Sequence, residues 1–185
     1  MPRLFIAVDT PRALADAWLR TLPAHRDIRA TPAAQLHLTL RFLGEHDDAM
    51  AGRLALALHE VAAPPMTLQP HGVGRFRGRQ GAILWAGLAE SPALQALVGR
   101  IGAVLQAQGV APEARRFWPH LTLARCRRGV PEPLLRDWLA AWRTLSLPAW
   151  QVDQFTLFES ELRRDGARHT ARAVYPLAAP PVALP

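Results

Sequence analysis

Two histidines stand in matched settings, His37 within Leu36-His37-Leu38-Thr39-Leu40 and His120 within Pro119-His120-Leu121-Thr122-Leu123. Each is followed two residues later by a threonine, inside an apolar run that reads as a β-strand. Side chains alternate along a strand, so the imidazole and hydroxyl of each copy share one face while the leucines share the other, as a core requires. An imidazole has an ordinary pKa of roughly 6.5 and can serve as acid or base at neutral pH. A facing pair can take a proton from water on one side of a phosphorus atom and give one to the leaving oxygen on the other. Each partner in such general acid–base catalysis contributes about 10²–10⁴-fold. Thr39 and Thr122 are placed to donate hydrogen bonds to non-bridging oxygens, and a nearby arginine would stabilise the developing charge. Zinc held by His37 and His120 is the rival chemistry, but no third ligand is evident on these strands, because threonine is a poor one.

Strands and helices alternate around the two motifs. Leu4–Val8 reads as a strand, and Thr10-Pro11 as an N-cap and first helical position of a helix reaching about Leu22. The first motif strand spans about Gln35–Leu43. An acidic turn, Gly44-Glu45-His46-Asp47-Asp48, then opens a helix over Ala49–Ala62. Strands at Met66–Gln69 and Ala82–Leu88 flank a glycine- and arginine-rich loop over 72–81. Ser91-Pro92 starts a helix to about Gln108, and the second motif strand covers Phe117–Cys126. A helix over Pro131–Arg143 and strands at Gln151–Leu162 and His169–Leu177 complete the reading. Each half thus runs strand, helix, His-x-Thr strand, helix. The expected fold is α+β: a bilobal duplicated unit with two antiparallel sheets facing a central cleft and helices outside. Residues 1–178 are expected to form one domain of two pseudo-symmetric lobes, with 179–185 a proline-rich disordered tail.

Composition narrows the classes. The chain has 185 residues, half of them hydrophobic, and a net charge of +7 in which all basic residues are arginine. A basic surface attracts polyanions, nucleic acid foremost. The single cysteine, Cys126, permits no internal disulfide and no cysteine-rich zinc site. No apolar run approaches the ~20 residues of a membrane span, and the first residues lack the long apolar stretch of a signal peptide. A soluble cytoplasmic protein with no membrane partner is expected. His25, His46, His59, His71 and His169 lack the motif setting and read mostly as solvated.

The whole pattern resembles the 2H phosphoesterases, named for paired His-x-Thr motifs. It looks most like their RNA 2′,3′-cyclic phosphodiesterase branch, historically called 2′-5′ RNA ligase. The resemblance runs through Arg3-Leu4-Phe5-Ile6-Ala7-Val8-Asp9, Leu36–Glu45, Leu84-Trp85-Ala86-Gly87-Leu88, Pro119–Arg125 and Phe155-Thr156-Leu157-Phe158-Glu159-Ser160. It implies a metal-free, cofactor-free, monomeric enzyme that opens RNA 2′,3′-cyclic phosphate ends to 2′-phosphomonoesters, with weak reversible 2′-5′ ligation as a family property. His37 and His120 would then carry acid–base catalysis, with His37 preferred as acid toward O3′ and His120 as base on water. Thr39, Thr122 and Arg125 would hold the phosphate.

Position five after each motif histidine is Phe42 in one copy and Arg125 in the other. Strict alternation turns both away from the histidines, so a bulge or a strand end would have to re-aim them. Phe42 reads either as a neighbour of the nucleobase or as a core residue, and alternation makes Arg41 the competing cation on the face of His37. Arg75, Arg77 and Arg79 read either as followers of an RNA backbone or as a solvated loop. Where the resemblance leads one to expect Gly-x-x-x-Tyr, this chain has Gly166-Ala167-Arg168-His169. A small cyclic nucleotide or ADP-ribose cyclic phosphate is an alternative substrate, and a non-catalytic RNA-binding module an alternative role.

Overall fold

The computed structural model describes residues 3–163 and 166–178. The tail assigned to 179–185 lies outside the described residues. Ten strands and four α-helices follow one another among them: β1 (Arg3–Asp9), α1 (Arg12–Leu19), β2 (Ile28–Ala30), β3 (His37–Glu45), α2 (Asp48–Ala57), β4 (Met66–Leu68), β5 (Pro70–Gly78), β6 (Gly81–Leu88), α3 (Pro92–Ala107), β7 (His120–Arg127), α4 (Glu132–Trp142), β8 (Trp150–Val152), β9 (Gln154–Arg163) and β10 (Gly166–Pro176). None of these helices is long and apolar enough to cross a membrane.

The strands form two antiparallel lobes, ordered β10-β9-β1-β3 and β7-β6-β5, with β2 on the outer part of β7. The lobes join where β3 meets β7, through one Cα pair, Leu38 with Leu121. Both leucines are fully buried. Around this point β9-β1-β3 matches β5-β6-β7, and a small separate sheet of β4 with β8 supplies one strand from each repeat. The duplication is therefore cyclically shifted relative to a simple division into halves: the strand completing the first lobe, β9, comes from near the C-terminus.

Both motif strands carry the same irregularity. In β3, Ile6 pairs Arg41 and Ala7 pairs Thr39, which leaves Leu40 as an inserted residue. In β7, Leu84 pairs Ala124 and Trp85 pairs Thr122, which leaves Leu123 inserted. A bulge places two residues of one strand opposite one of its partner and resets the alternation beyond it. Leu38, Leu40, Leu121, Leu123 and Ala124 consequently face a single hydrophobic cluster, shared with Leu14 and Trp18 of α1 and Leu94, Leu97 and Ile101 of α3.

Helix starts follow local chemistry. Ser91 accepts a hydrogen bond from the Leu94 N–H and Pro92 opens α3, while Asp47 caps α2 by accepting from the Met50 N–H. The reading of Thr10-Pro11 is corrected: Pro11 is itself the N-cap of α1, no side chain caps that end, and the Thr10 hydroxyl is buried without a partner. The glycine-rich loop over 72–81 is also corrected. Most of it is strand β5, turning tightly at Arg79-Gln80 into β6. Its glycines have a packing cause, since a Cβ on Gly74 would lie 2.1 Å from the indole ring of Trp85 on the facing strand. Strand β2, three residues long, has no sequence pattern that announces it.

Candidate active site

Continuing the Leu38–Leu121 register by one residue each way sets His37 across from Thr122 and Thr39 across from His120. His37, Thr39 and Thr122 share one face at this junction, and His120 opens the facing motif strand. A cleft of about 640 Å³ occupies this face, a volume within the range of small-molecule sites. His37, Thr39, Phe42, Thr122 and Arg125 all line it. His120 does not line this cavity; its ring packs edge-on against Phe76, at 5.0 Å between centroids, with Trp85 at 6.4 Å.

The same device orients both imidazoles. His37 Nδ1 lies 2.7 Å from the carbonyl oxygen of Gln35, and His120 Nδ1 lies 2.7 Å from that of Trp118. A carbonyl can only accept, so Nδ1 carries the hydrogen in each ring and Nε2 is left to take or release the exchanging proton. The acceptor sits two residues upstream in both copies, which makes the tautomer a product of the strand entry itself.

The bulges decide which neighbours join the site. Beyond Leu40 and Leu123 the alternation is reset, and Phe42 and Arg125 face the cleft with His37. Phe42 is 68% exposed, which removes the core reading. Arg41 is corrected: it leaves the face of His37, donates to the Ala111 carbonyl (2.5 Å) and pairs with Glu113 (3.3 Å). In β7 the irregular stretch is tied down by Thr31, whose hydroxyl donates to the Thr122 carbonyl (2.7 Å) and whose N–H donates to that of Leu123 (2.8 Å). Arg75 makes a bidentate pair with Glu132 of α4, and Arg77 reaches the same carboxylate at 3.1 Å. Arg75 thereby joins β5 to α4 and is well covered.

Sequence reasoning missed an aromatic housing around His37. Phe5 lies 4.9 Å from the ring, Phe158 6.3 Å, and His169 5.3 Å at 88°. His169 lines the cleft with its Nδ1 buried and unpartnered, which corrects its reading as solvated. Burial in this housing pushes His37 down to about 4, against a smaller opposing effect of the Gln35 carbonyl and with a further lowering from the His169 charge. Burial lowers His169 as well. His37 is thus a neutral imidazole at pH 7. No three of the described His, Cys, Asp and Glu residues gather into a group able to hold a metal ion.

A family model described as the 2′-5′ RNA ligase superfamily matches residues 9–164. The chain belongs to that superfamily. It is 32% identical over 182 residues to an RNA 2′,3′-cyclic phosphodiesterase of Thermus thermophilus, covering 91% of this chain and 86% of the relative. Identity to the protein of that name from Archaeoglobus fulgidus is 29% over 168 residues, or 89% and 94% of the two chains. The fold matches the crystal structure of Escherichia coli LigT complexed with 3′-AMP at a TM-score of 0.77 and 26% identity, covering 96% of this chain and 99% of that one. In this member of the 2′-5′ RNA ligase superfamily, His169 stands beside His37 together with Phe5 and Phe158.

Proposed function

We propose that the protein hydrolyses RNA 2′,3′-cyclic phosphate ends to 2′-phosphomonoesters, using His37 and His120 as an acid–base pair without a metal. The observation that carries this reading is the two-fold repetition of one device: a His-x-Thr segment with Nδ1 bound to the carbonyl two residues upstream, set on adjacent antiparallel strands. Its support also includes the relatives' name, RNA 2′,3′-cyclic phosphodiesterase.

The reaction balances as follows. Water oxygen forms a bond to phosphorus as its proton passes to Nε2 of the base. The P–O3′ bond breaks as the acid gives its Nε2 proton to O3′, which leaves a 3′-hydroxyl and a 2′-phosphate. Proton exchange with solvent resets the pair. Thr39, Thr122 and Arg125 bind the non-bridging oxygens, where charge grows in the transition state. A 5′-hydroxyl in place of water would give a 2′-5′ phosphodiester, the ligation that the same geometry admits.

We assign His120 as base and His37 as acid toward O3′. His37 rests neutral, so it gains its proton when the anionic cyclic phosphate arrives at Nε2. An opposite charge at contact distance favours the imidazolium, and more strongly where aromatic walls exclude water.

The deciding experiment incubates the protein with an oligoribonucleotide ending in a 2′,3′-cyclic phosphate in EDTA and identifies the product. A 2′-phosphate is expected. A 3′-phosphate, no turnover, or activity abolished by chelation would each sink the reading. Titration of the His37 ring with and without a bound nucleoside 2′-phosphate tests the acid assignment. An upward move is expected, and a pKa fixed near 4 with the product bound would transfer the acid's role to His120.

A further inference from the structure

The proposed reaction needs groups from both motif strands to converge, yet β3 meets β7 at one Cα pair, Leu38 with Leu121. A second link is carried by residues 31–35, which reach from the second motif strand to the first. At one end Thr31 continues β2 by one step. Its N–H donates to the Leu123 carbonyl (2.8 Å) and its hydroxyl to the Thr122 carbonyl (2.7 Å). At the other end the Gln35 carbonyl lies 2.7 Å from His37 Nδ1. Between them Pro32 opens a single 3₁₀ turn, Ala33–Gln35, closed by the Gln35 N–H on the Pro32 carbonyl (2.8 Å).

Each end of this link is fixed from outside. Strand β2 lies along β7 through the pairs Ile28–Cys126, Arg29–Arg125 and Ala30–Ala124, and the Arg127 N–H donates to the Asp27 carbonyl (2.9 Å). Proline has no N–H and a locked φ, so Pro32 ends this ladder at Thr31 and stiffens the turn that leaves it. The Gln35 side chain donates through Nε2 to the Ala167 carbonyl of β10 (2.9 Å). Thr31 falls on the bulge of β7, where the ladder to β6 is interrupted and backbone carbonyls need other partners. The matching bulge of β3, at Leu40, has no such strand beside it among the described residues, since that edge of β3 pairs with β7 only at Leu38. The residues two steps beyond the bulges differ accordingly. After Leu40 it is Phe42, an exposed ring whose broad contact tolerates movement. After Leu123 it is Arg125, a planar guanidinium that must meet phosphate oxygens in a fixed direction.

We propose that residues 31–35 form a positioning strap between the lobes, in which the Thr31 hydroxyl holds the bulge of β7 so that Thr122 and Arg125 keep register with His37. The inference rests on the reading of the cleft as a cyclic phosphodiesterase. Thr31 is a positioning residue: it acts through the backbone of Thr122 and Leu123 and takes no part in proton transfer. Without its hydroxyl the bulge can relax, and misplacing a catalytic group by about 1 Å costs on the order of 10²-fold in rate. The N–H bond to Leu123 survives that loss, so only part of this penalty is expected.

The test is a double-mutant cycle on a tetra-adenylate ending in a 2′,3′-cyclic phosphate. Thr31→Val keeps the shape of the side chain and removes the hydroxyl, and it should lower kcat/KM by about tenfold. Thr31→Ser restores a donor at the same place and should recover most of that loss. In the Arg125→Ala background Thr31→Val should cost less than about threefold, because the group it aims is already gone. An equal fold-loss in both backgrounds, or a serine variant as slow as the valine one, would overturn the proposal. Affinity for adenosine 2′-phosphate, read by calorimetry, repeats the cycle without turnover. The same coupling between Thr31 and Arg125 is expected there, and strictly additive losses would also overturn the proposal. Coupled losses of affinity in a protein that turns over no cyclic phosphate would leave the strap standing and refute the reading of the cleft.

Discussion

The two lobes build their histidines alike and house them differently. In each, the ring hangs from the first residue of the motif strand, its Nδ1 is held by the carbonyl two residues back, a threonine follows on the same face, and a bulge comes directly after it. The surroundings then diverge. His37 sits among Phe5, Phe158 and His169, and burial drives its pKa to about 4. His120 leans on Phe76 and Trp85 and stands beside a groove of arginines. At the matched offset one lobe supplies exposed Phe42 and the other Arg125. Duplication has fixed the orientation of the proton-carrying nitrogens, while the walls have been free to diverge. Two rings with the same tautomer thus stand in different surroundings, one enclosed by aromatic rings and one at the edge of the second lobe.

This contrast can be broken by experiment. The largest effects are expected at the histidines: His37→Ala and His120→Ala should each lower kcat on a cyclic-phosphate oligonucleotide by about 10²–10⁴-fold with little change in RNA affinity. Near-wild-type turnover by either variant would end the paired mechanism. The matched offset comes next. Arg125→Ala should reduce kcat by about 10²–10³-fold, as the loss of a transition-state donor does, whereas Phe42→Ala should leave kcat alone and raise KM by the ~1–3 kcal/mol of a stacked base. Similar kinetic signatures in both variants would mean that the lobes are not specialised.

Stability carries the next effect. The folded pKa of His37 is depressed below its ordinary 6.5, so between about 4 and 6.5 the unfolded chain binds a proton that the folded one refuses. Stability therefore falls as the pH drops through that window, by on the order of 3 kcal/mol in full. Denaturant melts of wild type and His37→Gln should converge or cross on acidification, and parallel curves would mean that His37 is not desolvated. The smallest effect is local. His169→Ala removes only a minor contributor and should raise the His37 pKa slightly, whereas Phe158→Ala should raise it further, both readable by NMR titration.

Much of this site was legible because its signals are local. The His-x-Thr strands and the helix starts at Ser91-Pro92 and over 44–48 follow from residue type and spacing, whereas the place of Arg125 comes from the resemblance, because alternation turns it away unless a bulge or strand end re-aims it. What escaped is set by distant partners. Strand β2 exists because Ile28–Ala30 finds β7, almost a hundred residues away. The glycines of β5 imitate a loop, yet they are there because Trp85 lies over Gly74. The place of His169 depends on the pairing of β10 with β9, which no motif marks. Arg41 was misplaced by the same alternation that placed Thr39, because the bulge falls between them.

The cyclic shift of the repeat has a consequence for synthesis. The strands β5, β6 and β7 of the second lobe follow one another in the chain, after β2, and are complete once Arg127 has emerged. The first lobe begins at Arg3 and lacks its third strand until β9, at Gln154–Arg163, arrives. Until then the β1 edge, with Phe5 on it, has no partner on the side that β9 later covers. At about 5–20 residues per second, the older half of the protein waits seconds for the youngest part of the chain. The pocket of His37 is therefore closed by one of the last segments made, and a ribosome that stops short of β9 releases one finished lobe and one with an open sheet edge.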